Sequence, residues 1–354
     1  MEQFTVQIEP LTPLWTGDAE RKCSTLRETG IIGSLRWWYE ALVRGLGGTA
    51  CDPTNSKCEG KHHCDACELF GCTGWARKFK LEVEIDDEVE IDDEVKNDDE
   101  VKNICEIKIG TREKRKVRDK DKYLLRETKG IMPKSAFLKF FPLREISEDE
   151  WNLLNNTLYI ISNYGALGAS TSQGNGVINI ISNCLPHSKP PTTIGQLSKK
   201  AQELPQLGDF FFYKFRLEFN KNILELIKKK VFWTHSEKHS GYKENWQSWI
   251  DVWDKYKFLP IAFHIRDSIR HLENDKDKRH EIFGEAGRGS TVFVSHGYKI
   301  SKNTSENTVE VRIYGYDKEN IGSKIKDKLN DNIKDKLFSL SKYNSYLNKC
   351  YFDM

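Results

Sequence analysis

The sequence predicts an α+β fold made of two ferredoxin-like units in tandem, each with an antiparallel sheet and a glycine-rich loop. The chain has 354 residues, about twice the size of a common domain, so two compact units are expected. The first half reads strand, helix, strand, strand, helix, strand, which is the order of a ferredoxin-like, or RRM-like, βαββαβ unit. A glycine-rich turn precedes a strand in both halves, which indicates a diverged structural duplication.

Hydrophobic periodicity predicts the elements of the first half. Residues 4–8 alternate apolar and polar side chains, as a half-buried strand does. From Gly30, apolar side chains recur at helical spacing as far as the glycines at 45–48, which predicts a helix. Residues 79–83 and 136–141 predict two more strands, and the charged insertion between them is expected to be a mobile excursion.

A capping box predicts where the second helix begins. Ser147 is followed three residues later by Glu150, and an apolar stripe continues to Tyr164 and Gly165. The β-branched residues that follow at 177–181 predict the last strand of this half.

The chain is expected to divide at a proline-rich linker. Residues 1–189 form the first unit, with its cysteine-rich loop and charged insertion, and residues 207–354 form the second, more diverged unit. The segment 190–206 contains Pro190, Pro191 and Pro205 among polar residues, which is typical of a connection. In the second unit, Trp246, Trp249 and Trp253 recur at helical spacing and predict either a core stripe, which we favour, or an exposed docking face.

Composition excludes several classes of protein. Lysine and arginine number 55 against 53 acidic residues, a net charge of +2, so only the distribution of charge can indicate nucleic-acid binding. The acidic residues concentrate at 82–100, and the remainder is basic. No run approaches the roughly 18 apolar residues of a membrane helix, and the N-terminus lacks a signal-peptide pattern. A soluble, cytoplasmic protein without membrane partners is expected.

The cysteines predict a candidate metal site. Of the nine cysteines, Cys51, Cys58, Cys64 and Cys67 have the spacing C-x6-C-x5-C-x2-C, with Cys72, His62 and His63 nearby. Four such ligands suit a tetrahedral zinc ion, which would be structural because the protein fills every position. The alternatives are reduced thiols or opportunistic disulfides, so no cofactor is required by the sequence.

A glycine-rich loop, GALGASTSQGNG at 165–176, is a candidate for contact with a phosphate chain. Its glycines allow positive φ and close approach of another backbone. It joins a helix to a following strand, the reverse of a Rossmann or P-loop arrangement, and it lacks Gly-Lys-Ser or Gly-Lys-Thr. The alternative is a connection that needs glycine for geometry alone.

Several segments together resemble a known family. TPLWTGD (residues 12–18), TGIIGSLRWWYEALVRGLGG (29–48), CxLFGCTGWARKF (67–79), YGALGASTSQGNG (164–176), PIAFHIRDS (260–268) and EAGRGST (285–291) resemble the RAMP superfamily. Within it they are similar to the family that forms subunit one of the Cmr complex, the type III-B CRISPR effector. The acidic repeat is not part of that pattern.

The resemblance implies a non-catalytic RNA-binding subunit of an antiviral CRISPR ribonucleoprotein. Its partners would be guide RNA, complementary single-stranded target RNA and other Cmr or RAMP subunits, with this subunit near the 3′ end of the guide. Target cleavage is assigned to a different subunit of such complexes, so the chain is not expected to be an enzyme.

RNA binding needs cations for phosphates and planar groups for unpaired bases. Within the matching segments the candidate contacts are Arg21, Lys22, Arg27, Arg36, Trp37, Arg44, Arg77, Lys78, Gly165, Gly168, Ser170, Thr171, Ser172, Gln173, Gly174, Gly176, Arg266 and Arg288. The helix starting near Gly30 is also expected to offer backbone amides to a phosphate. Arg36 and Arg44 have an alternative interpretation as solvated helix residues braced by Glu40.

Two further functions compete with RNA binding alone. Some RAMP nucleases use histidine as a general base for metal-independent RNA cleavage. A nuclease would need a histidine beside the glycine-rich loop, yet the first half has none outside the cysteine-rich segment and His187. The other alternative is a purely structural capping subunit.

Overall fold

The computed structural model describes residues 2–17, 23–52, 58–86, 106–113, 125–186, 204–232, 245–285, 289–299, 305–330 and 346–353. Across these ranges the predicted α+β fold with antiparallel sheets is confirmed. None of the helices within them is long and apolar enough to cross a membrane.

The first half is a four-stranded antiparallel sheet with helices between its strands. Its elements are β1 (Phe4–Pro10), α1 (Glu28–Gly45), α2 (Asp65–Phe70), β2 (Phe79–Asp86), β3 (Glu106–Glu113), β4 (Leu125–Ile131), β5 (Ser135–Pro142), α3 (Glu148–Asn163) and β6 (Ile178–Asn183). The strand order of the sheet is β2-β5-β1-β6. The first strand therefore pairs with the last strand and with the strand that precedes the last helix.

The two longer helices of this half, α1 and α3, lie close to where the sequence predicts them. Apolar side chains of α1 pack into the first core, where Leu35 and Tyr39 are at most 1% exposed. Ser147 caps α3, with its side chain accepting from the Glu150 amide while the Glu150 carboxylate accepts from the Ser147 amide. These two reciprocal hydrogen bonds satisfy two backbone amides that would otherwise lack an acceptor at the start of the helix.

The charged insertion contains a structured hairpin, which corrects the expectation that it is a mobile excursion. Strands β3 and β4 pair with each other as a two-stranded antiparallel sheet. Ile107 and Ile109 of this hairpin are buried in the core of the second half. The Trp249 indole Nε1 donates to the Gly110 carbonyl at 2.9 Å. Residues 87–105 and 114–124, which hold most of the acidic repeat and the basic run, lie outside the described residues.

The second half forms a larger sheet around its own core. Its elements are β7 (Phe210–Phe219), α4 (Ile223–Lys228), α5 (Asn245–Tyr256), β8 (Phe258–Leu259), α6 (Ala262–Arg270), α7 (Lys276–Phe283), β9 (Val292–Val294), β10 (Gly297–Tyr298), β11 (Thr308–Tyr316), α8 (Ile321–Asn330) and β12 (Leu347–Asp353). The strand order is β12-β7-β11-β10-β8, and β9 also pairs with β11. Trp249 and Trp253 are buried, which confirms the predicted core stripe of α5.

A buried arginine joins the two halves. Arg312 on β11 donates to the carbonyls of Ile161, Ser162 and Gly165 at 3.2, 2.6 and 3.0 Å, at the carboxyl end of α3. Its Nε donates to the Tyr298 hydroxyl at 2.8 Å. Only 4% of the residue is exposed, so these bonds replace the water that the guanidinium and the last helix carbonyls lose on folding.

Replacing Arg312 by lysine is expected to lower the free energy of unfolding by about 3 kcal/mol, because one ammonium cannot satisfy three buried carbonyls and a hydroxyl together. Chemical denaturation monitored by tryptophan fluorescence measures the change. Arg216→Lys, at an exposed site on the neighbouring strand, is the control and should shift stability by less than about 0.5 kcal/mol. Equal effects of the two changes would contradict the role of Arg312.

Candidate nucleic-acid interface

The glycine-rich loop follows α3 and is held by backbone hydrogen bonds to the segment after β1. The Ala169 amide donates to the Trp15 carbonyl at 2.6 Å, and the Gly176 amide donates to the Pro13 carbonyl at 2.9 Å. The Gly168 amide donates to the Ser34 hydroxyl at 2.9 Å. The loop is therefore attached both to the segment after β1 and to α1, and it has a defined conformation rather than that of a flexible connection.

Packing accounts for all four predicted loop glycines, because an added Cβ would also lie 2.6 Å from the Trp15 carbonyl oxygen at Gly168 and 2.5 Å from the Leu167 carbonyl oxygen at Gly176. Gly174 has a φ of 109°, and a Cβ there would lie 2.6 Å from the Ala262 Cβ and 2.7 Å from the His296 ring. A Cβ at Gly165 would collide with the Trp38 indole. Gly174 is thus one of the points at which the loop touches the second half, and all four glycines are needed for packing in addition to any ligand contact.

A cleft of about 440 Å³ lies between the loop, α1 and the second half. It is lined by Gly30, Gly33, Ser34, Trp37, Trp38, Ala166, Gly168, Ala169, Thr171, Ser290, Phe293, Tyr314 and Tyr316. These described residues contribute aromatic rings, hydroxyl groups and backbone, and none of them has a charged side chain. Such a surface can hold a planar, polar ligand between rings.

The two consecutive tryptophans of α1 have different roles. Trp38 is 2% exposed and its Nε1 donates to the Ala166 carbonyl at 2.9 Å, which confirms that it belongs to the core. Trp37 is half-buried and lines the cleft. Its ring meets Phe293 and Tyr316 of the second half with centroids 6.3 and 5.9 Å apart. Trp37 is thus the predicted stacking residue that the structure places in the cleft.

Two predicted phosphate contacts on α1 are instead joined in an internal ion network. Glu40 accepts from Arg36 at 2.7 Å and from Arg44 at 3.4 Å, so the predicted i,i+4 brace is confirmed. Burial raises the pKa of Glu40, and the two guanidinium groups oppose that rise. Arg44 also donates to the carbonyls of Ala50, Cys51 and Pro205. Its side chain is 6% exposed, so its N–H groups are directed at acceptors inside the protein, and an RNA contact by Arg44 stays a prediction.

Arg36 and Arg266 likewise have partners inside the protein. Arg36 donates to the Gly71 carbonyl at 2.9 Å and to the Cys67 sulfur at 3.1 Å. Arg266 donates to the carbonyls of Ser172, Val292 and Phe283, with the first two at 3.2 and 3.0 Å. Arg266 thereby supports the glycine-rich loop through the Ser172 carbonyl, and its contact with a phosphate stays a prediction.

Lys78 lies in a second ion network, between Glu68 and Glu150 at 2.7 and 2.9 Å. Burial lowers its pKa, but hydrogen bonds to the two carboxylates raise it more, and the net pKa lies above the ordinary lysine value. Arg77 beside it is half-buried, and Arg27 is exposed immediately before α1. Of the remaining predicted cations, Arg21, Lys22 and Arg288 lie outside the described residues.

The start of α1 differs from the predicted position. The helix begins at Glu28, two residues before Gly30, because Arg27 serves as its N-cap residue. The amides of Gly30 and Ile31 both donate to the Arg27 carbonyl, so they are not offered to a phosphate as predicted. Within the loop, Thr171 lines the cleft, Gln173 is exposed, and Ser170 and Ser172 are half-buried.

The structure places a histidine beside the glycine-rich loop that the sequence did not reveal. His296 lies just before β10, and its amide donates to the Gly174 carbonyl at 3.1 Å. The ring accepts from the Ala262 amide through Nδ1 at 3.3 Å and contacts the Thr128 hydroxyl through Nε2 at 3.2 Å. Complete burial lowers the pKa of His296 to about 3. It is therefore a neutral, structural residue at physiological pH, not an accessible general base.

The predicted cysteine group comes together in space. The sulfur atoms of Cys51, Cys58, Cys64 and Cys67 all lie within 4.8 Å of one another, the one group of metal-ligand side chains found in the part of the chain that is described. Burial raises the pKa of Cys64 and Cys67, so without a cation their protonated thiols are favoured. The donor set and its closeness suit a soft divalent ion.

The fold and the site define a class: an α+β protein with antiparallel sheets and a glycine-rich loop between the last helix and last strand of its first half. The family model described as the RAMP superfamily matches residues 7–179. This match identifies the segment 7–179 as similar to the RAMP superfamily. No curated protein matches the sequence significantly.

Three solved structures similar to this chain come from CRISPR proteins. One is the apo form of Cmr1 from Pyrococcus furiosus, 15% identical over 91% of this chain and 93% of that chain, with a TM-score of 0.36. A chain of the type III-B Cmr-beta complex bound to cognate target RNA is 15% identical, covering 92% of this chain and 98% of that chain, with a TM-score of 0.43. A chain of a type IV-B CRISPR complex is 14% identical, covering 54% of this chain and 96% of that chain, with a TM-score of 0.37. The similarity to the RAMP superfamily rests on the match to the family model.

Replacing His296 by asparagine is expected to make stability less sensitive to acid. The folded pKa of about 3 lies below the ordinary value of 6.5, so between these values the unfolded state binds the extra proton and folding weakens as pH falls. The contribution of His296 to the free energy of unfolding is fully present above about pH 6.5. It is lost as the pH falls toward 3, at up to about 1.4 kcal/mol per pH unit. Urea denaturation between about pH 4 and pH 7 should give a slope shallower by about that amount in the variant.

An exposed histidine provides the control for that comparison. His271→Asn alters a residue on the surface after α6 and is expected to leave the slope close to that of the wild type. Parallel pH profiles for wild type and His296→Asn would contradict the buried neutral state of His296.

Proposed function

We propose that this chain is a non-catalytic RNA-binding subunit of a type III-B CRISPR effector complex, in the position of subunit one of the Cmr complex. The proposal rests on Gly33, a glycine on the wall of the cleft that has open space where a side chain would be. Gly33 lies within α1, and no described heavy atom lies within 4 Å of the position where its Cβ would be.

A helix-interior glycine needs a reason, because it destabilises a helix by about 0.5–1 kcal/mol relative to alanine. For Gly30, one turn earlier, packing supplies the reason. A Cβ added at Gly30 would lie only 2.7 Å from the Cβ of Thr16. Gly33 has no equivalent contact and faces the cleft. The open space at Gly33 favours close approach of a ligand backbone to the helix.

The cleft lining suits single-stranded RNA better than a phosphate-only ligand. Trp37, Phe293 and Tyr316 offer aromatic faces and edges, on which unpaired bases stack at about 1–3 kcal/mol per base. Ser34, Thr171 and Ser290 supply hydroxyl groups for the ribose 2′-hydroxyl or phosphate oxygens. Arg27, exposed at the start of the helix that carries Gly33, supplies a cation for the phosphate chain.

The two sheets support a tandem ferredoxin-like arrangement. In the second half, as in the first, the first strand pairs with the last strand and with the strand before the last helix: β7 lies between β12 and β11. The outermost strand, β8, follows β10 at the far edge. We infer that the halves are two versions of one βαββαβ unit, the second with its outer strand reduced to two residues.

The side chains described along the cleft support a binding role rather than catalysis. Among the described lining residues there is no histidine, lysine or carboxylate. Burial raises the pKa of Tyr314 and Tyr316, so neither tyrosine serves as a base at neutral pH. Guide RNA, complementary target RNA and other RAMP subunits are the proposed partners, in a soluble cytoplasmic complex of antiviral defence with this subunit near the guide 3′ end. A metal-independent endoribonuclease and a structural cap are the competing functions.

Replacing Gly33 by leucine is expected to fill the cleft and to weaken binding of a labelled single-stranded RNA at least about tenfold, equivalent to about one lost base stack. Gly33→Ala is the matched control. It should raise the free energy of unfolding by about 0.5–1 kcal/mol because alanine favours the helix, and it should lower RNA affinity less than leucine. Fluorescence anisotropy with the full chain measures affinity, and gel analysis of the same samples measures RNA integrity.

A salt series separates the three functions. Retention of intact RNA that weakens steeply with salt supports the binding subunit, since phosphate contacts release counterions. Cleavage of the RNA in the presence of EDTA would establish the nuclease instead. Absence of any interaction, or unchanged affinity in Gly33→Leu, would count against this cleft as the RNA site.

A further inference from the structure

We propose that Cys51, Cys58, Cys64 and Cys67 bind one structural zinc ion whose sulfur ligands are held by Arg36 of α1. All four sulfur atoms lie within 4.8 Å of one another, and those of Cys51 and Cys67 are 3.5 Å apart. Around tetrahedral zinc, with bonds of about 2.3 Å, neighbouring sulfurs are about 3.8 Å apart. The observed arrangement is therefore close to the geometry of a four-cysteine zinc site.

The local fold explains why these four residues converge. Cys64 is the N-cap residue of α2, and Cys67 lies in the first turn of that helix. The two-residue spacing within a single helical turn places both sulfurs on the same side. Cys51 comes from the segment that follows α1, and its amide donates to the Cys64 sulfur at 3.3 Å. A metal bound here would join the end of α1, the loop at 58–64 and α2.

Two N–H donors point at the sulfur atoms, as thiolate ligands require. Besides the Cys51 amide, the Arg36 Nη2 lies 3.1 Å from the Cys67 sulfur and 3.9 Å from the Cys51 sulfur. A four-thiolate zinc site carries a net charge of about −2, so the half-buried Arg36 guanidinium beside it offsets that charge and orients the ligands. This explains why Arg36 contacts the sulfur atoms although the sequence favours a solvated cation at its position.

Other nearby residues are excluded as ligands by their own contacts. The His63 Nδ1 lies 2.6 Å from the Gly60 carbonyl, Nε2 contacts the Glu68 carboxylate, and the ring stacks on Trp75 at 4.6 Å. His62 is exposed and lies outside the group. The Cys72 sulfur is engaged with the Thr73 carbonyl at 3.7 Å. The donor set is therefore four cysteines, with every position filled, as in a structural rather than a catalytic site.

Pairs of disulfides are the chemical alternative for four neighbouring cysteines. Disulfides would separate the sulfurs into two bonded pairs of about 2.05 Å. Instead, none of these four cysteines is disulfide-bonded, and all four sulfur atoms lie within 4.8 Å of one another. This arrangement fits one shared ion better than two covalent pairs.

The experiment measures zinc in the full chain purified under reducing conditions from zinc-supplemented cells, by elemental analysis and by metal release to a chromogenic chelator after thiol modification. The wild type is expected to hold one zinc ion per chain. Cys58→Ser and Cys64→Ser should lose most of it, while Cys72→Ser, a cysteine of the same segment outside the group, should retain it. Equal loss from Cys72→Ser and the group variants would overturn the proposal.

Cobalt substitution provides a readout that does not depend on the stability of variants. Cobalt added to metal-stripped wild-type protein should develop the intense visible absorption of tetrahedral cobalt–thiolate coordination, and zinc should displace it. Arg36→Met is expected to weaken zinc affinity by about 10–100-fold, the usual effect of removing an outer partner of a metal ligand, with partial recovery in Arg36→Lys. A wild-type protein without zinc or cobalt absorption, or with the four thiols oxidised after anaerobic purification, would overturn the site.

Discussion

The contact between Arg312 and the carboxyl end of α3 is the constraint on which the site depends. A guanidinium that is 4% exposed must have partners inside the protein, because an unpaired buried charge costs several kcal/mol. The last carbonyls of a helix have no donors within the helix, so they need hydrogen-bond donors from elsewhere. Since the glycine-rich loop starts at Gly165, one of the residues that Arg312 contacts, its position is set by a strand of the other half.

The remaining contacts of the loop follow from this attachment. Gly174 packs against Ala262 and His296, and Arg266 holds the Ser172 carbonyl, so the second half supports the loop along its length. On the opposite side, α1 brings Gly33 and Trp37 to the same cleft. The candidate site is thus composite: neither half contains it alone, and its rigidity comes from polar contacts that cross between the two cores.

Local signals in the sequence were sufficient for α1, α3 and the four strands of the first sheet, but not for α2, the β3–β4 hairpin or the long-range partners of these elements. The stripe containing Leu35 and Trp38 predicts α1, and the capping box at Ser147 predicts α3, because both patterns depend on neighbouring residues only. His296 and Arg312 are far from the loop in sequence, and no local pattern marks their partners. For the same reason Arg44 and Arg266 read as surface cations, although each has several acceptors within the fold. The four-cysteine group was predictable since its spacing is itself the signal.

The β3–β4 hairpin determines how the chain can be divided. It precedes the proline-rich segment in sequence, yet Ile107 and Ile109 complete the core of the second half. A fragment cut near residue 190 would carry these two side chains without the core that covers them. The complementary fragment would leave the Trp249 indole without the Gly110 carbonyl. Separately expressed halves should therefore aggregate, whereas co-expressed halves should assemble by fragment complementation.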